Sequence, residues 1–140
     1  MTKARRRPIL PWDKLFELAS ATRQRAYAPY SNLKIGAALL TRDGKTVGGC
    51  NLENSSYGLS ICAERNAVGQ AVARAGKTQI LAMAIVSDTP EPCPPCGMCR
   101  QTLIEFADAS LPIRTRNLRG QQRQYTLGDL LPHAFTGRFL

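Results

Sequence analysis

Ser60-Ile61-Cys62-Ala63-Glu64-Arg65 and Pro95-Cys96-Gly97-Met98-Cys99-Arg100 are the two stretches from which the rest of the chain can be read. They supply three thiols and one carboxylate at spacings that build an open zinc site with a general acid/base beside it. Zinc in a hydrolytic site takes three protein ligands and keeps a fourth position for water, whereas a structural site closes all four. Cys62, Cys96 and Cys99 make three. Glu64 follows Cys62 by two positions. At a helix N-terminus side chains tilt toward the N-terminal end, so the two can reach one point just beyond the axis. Cys96 and Cys99 fall one turn apart and share a helix face. Helix N-termini also stabilise thiolates, through exposed N–H groups and the dipole. Three thiolates on a divalent cation leave one net negative charge, and Arg65 and Arg100 follow the ligands closely enough to offset it.

Cys93 offers a competing pair, because Pro92-Cys93-Pro94-Pro95-Cys96 also fits Pro-Cys-x-x-Cys. The backbone decides between them. Pro94-Pro95 holds the residues before each proline out of the helical region, so Cys93 and Cys96 cannot share a helix face. Gly97-Met98 can be helical, and Pro95 suits a helix start. Two other classes use the same thiols. Cys93-x-x-Cys96-x-x-Cys99 resembles an iron-sulfur run, but Leu103 stands where a fourth cysteine would complete it. Four thiolates, Cys93 included, would make a structural zinc module. Neither explains Glu64, nor the Asn51-Leu52-Glu53 stretch.

Composition bounds the rest. A chain of 140 residues, 44% hydrophobic, suits one domain with one core. The expected division is a basic N-terminal tail over 1–11 and a single catalytic domain over 12–140. No apolar run reaches membrane-span length. The opening Lys3-Ala4-Arg5-Arg6-Arg7-Pro8 is followed by no apolar core of a signal peptide, so export is not expected. Five cysteines in an unexported chain argue for thiols and metal rather than disulfides, and for the cytoplasm. The net charge of +9 is confined to the ends, since residues 26–113 carry seven basic against seven acidic side chains. Both ends read as solvated tails, with any nucleic-acid contact weak and non-catalytic.

Periodicity places the elements. Leu15, Phe16, Ala19, Thr22 and Ala26 recur at helical spacing up to Pro29. Leu33 to Thr41 and Thr46 to Asn51 flank an Asp43-Gly44 hairpin signal. Gly36, Gly48 and Gly49 in or beside these strands mark a bulge or a close approach by another backbone or a ligand. A small-residue helix through Ala67, Ala71 and Ala75 ends at Gly76, which is expected as a left-handed cap. Ile80 to Val86 reads as a central strand covered on both faces. The helix of Cys96 and Cys99, strands near Ile113 to Arg116 and Gln124 to Leu127, and a short helix over Leu127 to Leu131 follow. This order predicts a three-layer α-β-α sandwich with a mixed five-stranded sheet. Asn51 and Glu53, two apart at a strand end, share one face and suit paired sugar hydroxyls. His133, the only histidine, reads as a surface residue, and Cys50 as a small core residue.

The ligand-x-Glu and Pro-Cys-x-x-Cys spacing resembles the zinc deaminase signature. With Cys62 as first ligand, the chain resembles the homotetrameric zinc-dependent cytidine deaminases. Tyr27-Ala28-Pro29-Tyr30-Ser31, Gly36-Ala37-Ala38-Leu39, Asn51-Leu52-Glu53-Asn54, Cys62-Ala63-Glu64-Arg65, Pro95 to Gln101 and Leu130 to Phe135 carry that resemblance in family order. It implies hydrolytic deamination of cytidine and 2'-deoxycytidine in pyrimidine salvage. One Zn²⁺ per chain would supply hydroxide to C4 of the ring, and Glu64 would shuttle protons. Asn51 and Glu53 would bind ribose, the Ala63 backbone would meet the base, and Arg65 would compensate the thiolate charge. Phe135 would reach into a neighbour's pocket in a tetramer with composite active sites. Leu33 stands where the family usually has a Phe against the base, which leaves a blasticidin-type or modified-nucleoside deaminase as the nearest alternative.

Overall fold

Asp43 and Gly44, at φ +81°, turn the chain between β1 (Ile35–Thr41) and β2 (Thr46–Cys50), which pair antiparallel. The computed structural model describes residues 9–140. β1 also pairs antiparallel with β3 (Ile80–Ser87). β3 pairs in parallel with β4 (Pro112–Asn117), and β4 antiparallel with β5 (Gln122–Thr126). The sheet is therefore mixed and five-stranded, in the order β2-β1-β3-β4-β5. All but one residue of β3 is buried, as a central strand with helices on both faces requires.

Helix α1 (Trp12–Arg23) packs Leu15, Phe16 and Ala19 on Ala38, Leu40, Ala82, Ala84 and Val86 of one face. The opposite face carries α2 (Ala63–Ala75), through Ala63, Ala67, Val68 and Ala71, and α3 (Gly97–Phe106), through Leu103. These are the three expected layers. A short helix α4 (Leu127–Leu130) closes the chain after β5, its Thr126 and Asp129 forming a reciprocal capping box.

Gly36 and Gly49 are places of close approach by helix backbone, and Gly48 by the side chains of Thr22 and Leu18. A Cβ on Gly36 would lie 1.9 Å from the Ala19 carbonyl oxygen of α1, and one on Gly49 would lie 2.5 Å from both Ala63 O and Ala67 N of α2. Helices sit directly on the hairpin because nothing projects between them.

Four expectations change. The first helix ends at Arg23, although Ala26 is buried as the periodicity demanded. Thr22 Oγ1 donates to Leu18 O, and the Tyr27 N–H donates to Asn51 O, which draws the chain into an extended bridge with Leu52. Gly76 has φ +71° with ψ −147°, a glycine-only conformation outside the left-handed helical region. The basic C-terminal end, residues 114–140, is not simply a solvated tail. Arg114 and Arg116 stand on β4, their guanidiniums 4.3 Å and 3.8 Å from the ring centroids of Trp12 and Phe16. Of the 1–11 tail, residues 1–8 lie outside the described residues, and Leu10 packs against the α1 face of the core. Cys50 is half-buried at the edge strand rather than in the core.

Candidate active site

Two helix N-termini meet at the thiols. Cys62 is the N-cap of α2 and Cys96 the N-cap of α3, both extended (φ −70°, ψ 155° and φ −67°, ψ 169°), and neither side chain caps its own helix. The sequence placed Cys96 and Cys99 on one helix face. In fact Cys96 stands just outside the first turn and Cys99 inside it. Their sulfurs are still 3.5 Å apart, and Cys62 Sγ lies 3.7 Å from Cys96 Sγ. The three sulfurs all fall within 4.8 Å of one another, and no other such group of ligand side chains occurs among the described residues. A tetrahedral Zn–S bond of about 2.3 Å sets sulfurs about 3.8 Å apart. The cluster therefore fits zinc without rearrangement. Cys93 is outside it, its thiol 3.5 Å from the Pro94 carbonyl.

A short three-stranded bridge carries the other functional residues to this point. Leu52 exchanges both backbone hydrogen bonds with Ile61, and Glu53 N donates to Tyr27 O. Asn51 and Glu53 are thereby held beside the segment that leads into Cys62. Ser31, Leu33, Asn51, Glu53, Cys62, Ala63, Glu64, Cys93, Pro94 and Cys96 are among the residues around one cavity of about 240 Å³.

Asn51 accepts from Ile35 N at 2.8 Å and donates to Leu33 O at 2.7 Å. Its amide thus fixes the path of Leu33 into the cavity, and each polar atom keeps capacity for one further bond. Glu53 accepts from the Ser31 hydroxyl and from the N–H groups of Tyr30 and Ser31. The Ser31 hydroxyl is the main reason its carboxyl lies below the usual range. Phe135 lies away from its own chain's cavity, 57% exposed and stacked on Phe139 at 5.8 Å. Gln101 holds the Phe135 carbonyl at 2.8 Å. His133 is exposed, as expected.

The electrostatics separate proton and charge. Glu64 is 5% exposed, and burial raises its pKa to about 7, helped by the negative charge of Cys62. Cys62 is pulled down to about 5, first by the Cys99 thiol proton and then by Arg65, against its partial burial. Cys99 is correspondingly raised, its proton held toward Cys62. Without metal, the pair shares a proton that zinc binding would displace. Arg65 Nη2 lies 3.6 Å from Cys62 Sγ, and that contact is the main cause of its raised pKa. Arg100 does not join it. Its Nε and Nη1 donate to the carbonyls of Pro95 and Leu130, tying α3 to α4. Sequence reasoning missed this brace, and also Asn66, whose amide donates to Cys50 O and ties α2 to the end of β2. Neither has a signal in spacing or composition.

Residues 12–115 match the family described as the cytidine and deoxycytidylate deaminase zinc-binding region. The chain is 45% identical over 122 residues to a cytidine deaminase of Halalkalibacterium halodurans, an alignment that covers 87% of this chain and 92% of that one. The chain belongs to the cytidine deaminase family. A cytidine deaminase of Mycobacterium tuberculosis is 42% identical over 132 residues, with 91% and 92% covered. The crystal structure of a cytidine deaminase from Burkholderia pseudomallei superposes with a TM-score of 0.85 at 48% identity, covering 90% of this chain and all of that one. Membership in the cytidine deaminase family and the sulfur geometry agree on zinc as the cofactor.

Proposed function

We propose that this cytidine deaminase family member hydrolyses cytidine and 2'-deoxycytidine to uridine and 2'-deoxyuridine with release of ammonia. The observation that carries the reading is the pairing of a buried, protonatable carboxylate with a three-thiol cluster, of which Cys62 and Cys96 line one cavity with it. When bound, zinc lowers the pKa of a coordinated water and so supplies a nucleophile near neutrality. Cys62, Cys96 and Cys99 hold it. Glu64, poised near neutral pH, accepts the proton of the attacking water, delivers one to N3 to make C4 electrophilic, and passes one to the departing amine. Arg65 offsets the surplus negative charge of three thiolates.

Further along the cavity, Glu53 is ionised and Asn51 has bonding capacity left, an acceptor and an amide suited to ribose hydroxyls. The backbone of Ala63, at the open N-terminal turn of α2, offers hydrogen bonds to the base. Leu33 packs on the ring. Phe135 closes the pocket of a neighbouring protomer in a homotetramer with composite sites, a reading supported by the exposure of Phe135, Phe139 and Leu140. The five free cysteines suit a reducing cytoplasm, and the reaction suits pyrimidine salvage. Among the described residues no helix is long and apolar enough to cross a membrane. Nucleic acid meets the basic surfaces weakly and without catalysis.

Ammonia release from cytidine, deoxycytidine, adenosine, cytosine and blasticidin S tests the assignment. Turnover of the first two alone is expected. Turnover of blasticidin S without cytidine would replace the substrate assignment, and turnover of none would remove it.

A further inference from the structure

Two basic side chains of β4 are held in a row with no acidic partner. Arg114 and Arg116 stand on the α1 side of the sheet, where the alternation of a strand sets them ~6.6 Å apart. Each is fixed twice. Arg114 Nε donates to Gln124 of β5 at 2.9 Å while its guanidinium lies over Trp12, and Arg116 Nε donates to Gln122 at 2.8 Å while its guanidinium lies over Phe16. The remaining donors, on Nη1 and Nη2 of each, make no hydrogen bond among the described residues. The ion pairs among the described residues are Arg23 with Asp88 and Arg74 with Asp43, so neither arginine of this row is neutralised. Asp13 and Glu17 of α1 are exposed and pair with neither.

The two basic ends of the sequence meet at this row. Trp12 opens α1, and Leu10 just before it packs on the same core cluster. Residues 1–8, with Lys3, Arg5, Arg6 and Arg7 and no acidic side chain, therefore join the fold beside the ring that carries Arg114. Arg119 follows on the exposed turn between β4 and β5. The centre of the face is polar, since Gln122 and Gln124 are exposed and Trp12 and Phe16 lie under the guanidiniums. It lacks the apolar core of a protein interface and has the polar, positive character of a nucleic-acid one. A guanidinium fork matches a phosphate bidentately, stays charged, and loses little entropy when already held. Neither arginine lines the deaminase cavity.

We propose that this face docks a single-stranded nucleic acid by its phosphates, with Arg114 and Arg116 gripping the backbone and the basic residues 3–7 adding charge. Two forks in line along one β-strand follow one backbone rather than the paired backbones of a duplex. Bases and sugars go unread, so RNA and DNA strands bind alike. Such sequence-independent binding falls at about 10⁻⁴ to 10⁻⁶ M near physiological salt. The surface gives a place to the weak, non-catalytic contact assigned above, rests on that part of the reading, and does not depend on the chemistry of the cavity.

The test is fluorescence anisotropy of a labelled oligouridylate with the zinc-loaded full chain across a salt series, with cytidine turnover read alongside. R114Q/R116Q is expected to lose roughly tenfold or more in affinity, and about 1.4 from the slope of log K against log salt, at ~0.7 per phosphate contact on a single strand. Its cytidine turnover should hold. R114K/R116K keeps the charge without the forks and should fall between, which keeps the series readable where glutamine disturbs folding. R42Q/K45Q removes the same charge from the β1–β2 hairpin and should bind as wild type does. Wild type without affinity at low salt, equal weakening by R42Q/K45Q, duplex bound more tightly than the strand, or capture by phosphatidylserine vesicles without capture of oligouridylate would each overturn the proposal. Failure of zinc-loaded wild type to turn over cytidine would overturn the deaminase reading alone.

Discussion

Glu64 carries a cost that can be measured without substrate. Its carboxyl titrates at about 7 in the folded, metal-free chain against 4.5 in the open. Between those pH values the folded state keeps a proton that the unfolded chain has released, so this group makes stability fall as pH rises. The full effect is about 3 kcal/mol, at about 1.4 kcal/mol per pH unit. Cys62 and Cys99 also titrate, but they are common to wild type and Glu64→Gln. The difference between the two in urea midpoints reports the carboxyl together with its coupling to the neighbouring thiols. Metal-free Glu64→Gln should gain on wild type from pH 4.5 to pH 7 and hold that gain above it; parallel pH profiles would refute the assignment. The ligand set makes a second prediction. Cys96→Ala and Cys99→Ala should lose zinc, and Cys93→Ser should retain about one per chain, as read by metal analysis. The three-thiol cluster was legible in the sequence, with Glu64 two residues from Cys62, because metal chemistry restricts both residue type and spacing. Arg100 was not. Its position beside Cys99 suggested charge compensation, but the carbonyls that claim it come from a loop and from α4, 30 residues away.

The helix–hairpin contacts decide where the site's groups stand. Gly49 lets α2 approach β2 until backbone meets backbone, which sets the height of Cys62, Ala63 and Glu64 above the sheet. Gly49→Ala must push α2 away, at roughly 1–3 kcal/mol by the usual cost of overpacking. Thermal unfolding should show the loss together with weakened zinc retention. Gly69, in the same helix, has open space around it, so Gly69→Ala should leave zinc unchanged and stabilise by about 0.5–1 kcal/mol. Equal stability of the two variants would contradict the close-approach account. Hairpin, central strand and helix order were all readable, because turn chemistry and periodicity are local. The end of α1 was hidden. It depends on Tyr27 finding a partner in Leu52, a pairing no local pattern announces.

At the scale of the molecule, charge was the least legible property. The basic excess of residues 114–140 sits partly on β4, over Trp12 and Phe16, where it covers aromatic surface. A count along the chain cannot tell that from a solvated tail. Assembly is the other property that one chain leaves open. Phe135 lies outside its own cavity, as the proposed composite site requires. Light scattering should give four copies of the 15.3 kDa chain, and Phe135→Ala should lose roughly tenfold or more in turnover, the scale of one interface anchor, with zinc retained. A fully active monomer would rule the composite site out. The central claim is that a zinc site and a buried carboxylate together deaminate a cytosine nucleoside. The most direct measurement is the initial rate of ammonia release from cytidine by wild type and Glu64→Gln at matched zinc content. A fall of roughly 10⁴-fold in Glu64→Gln is predicted, the upper range for a general acid/base step; activity within tenfold of wild type would contradict the account.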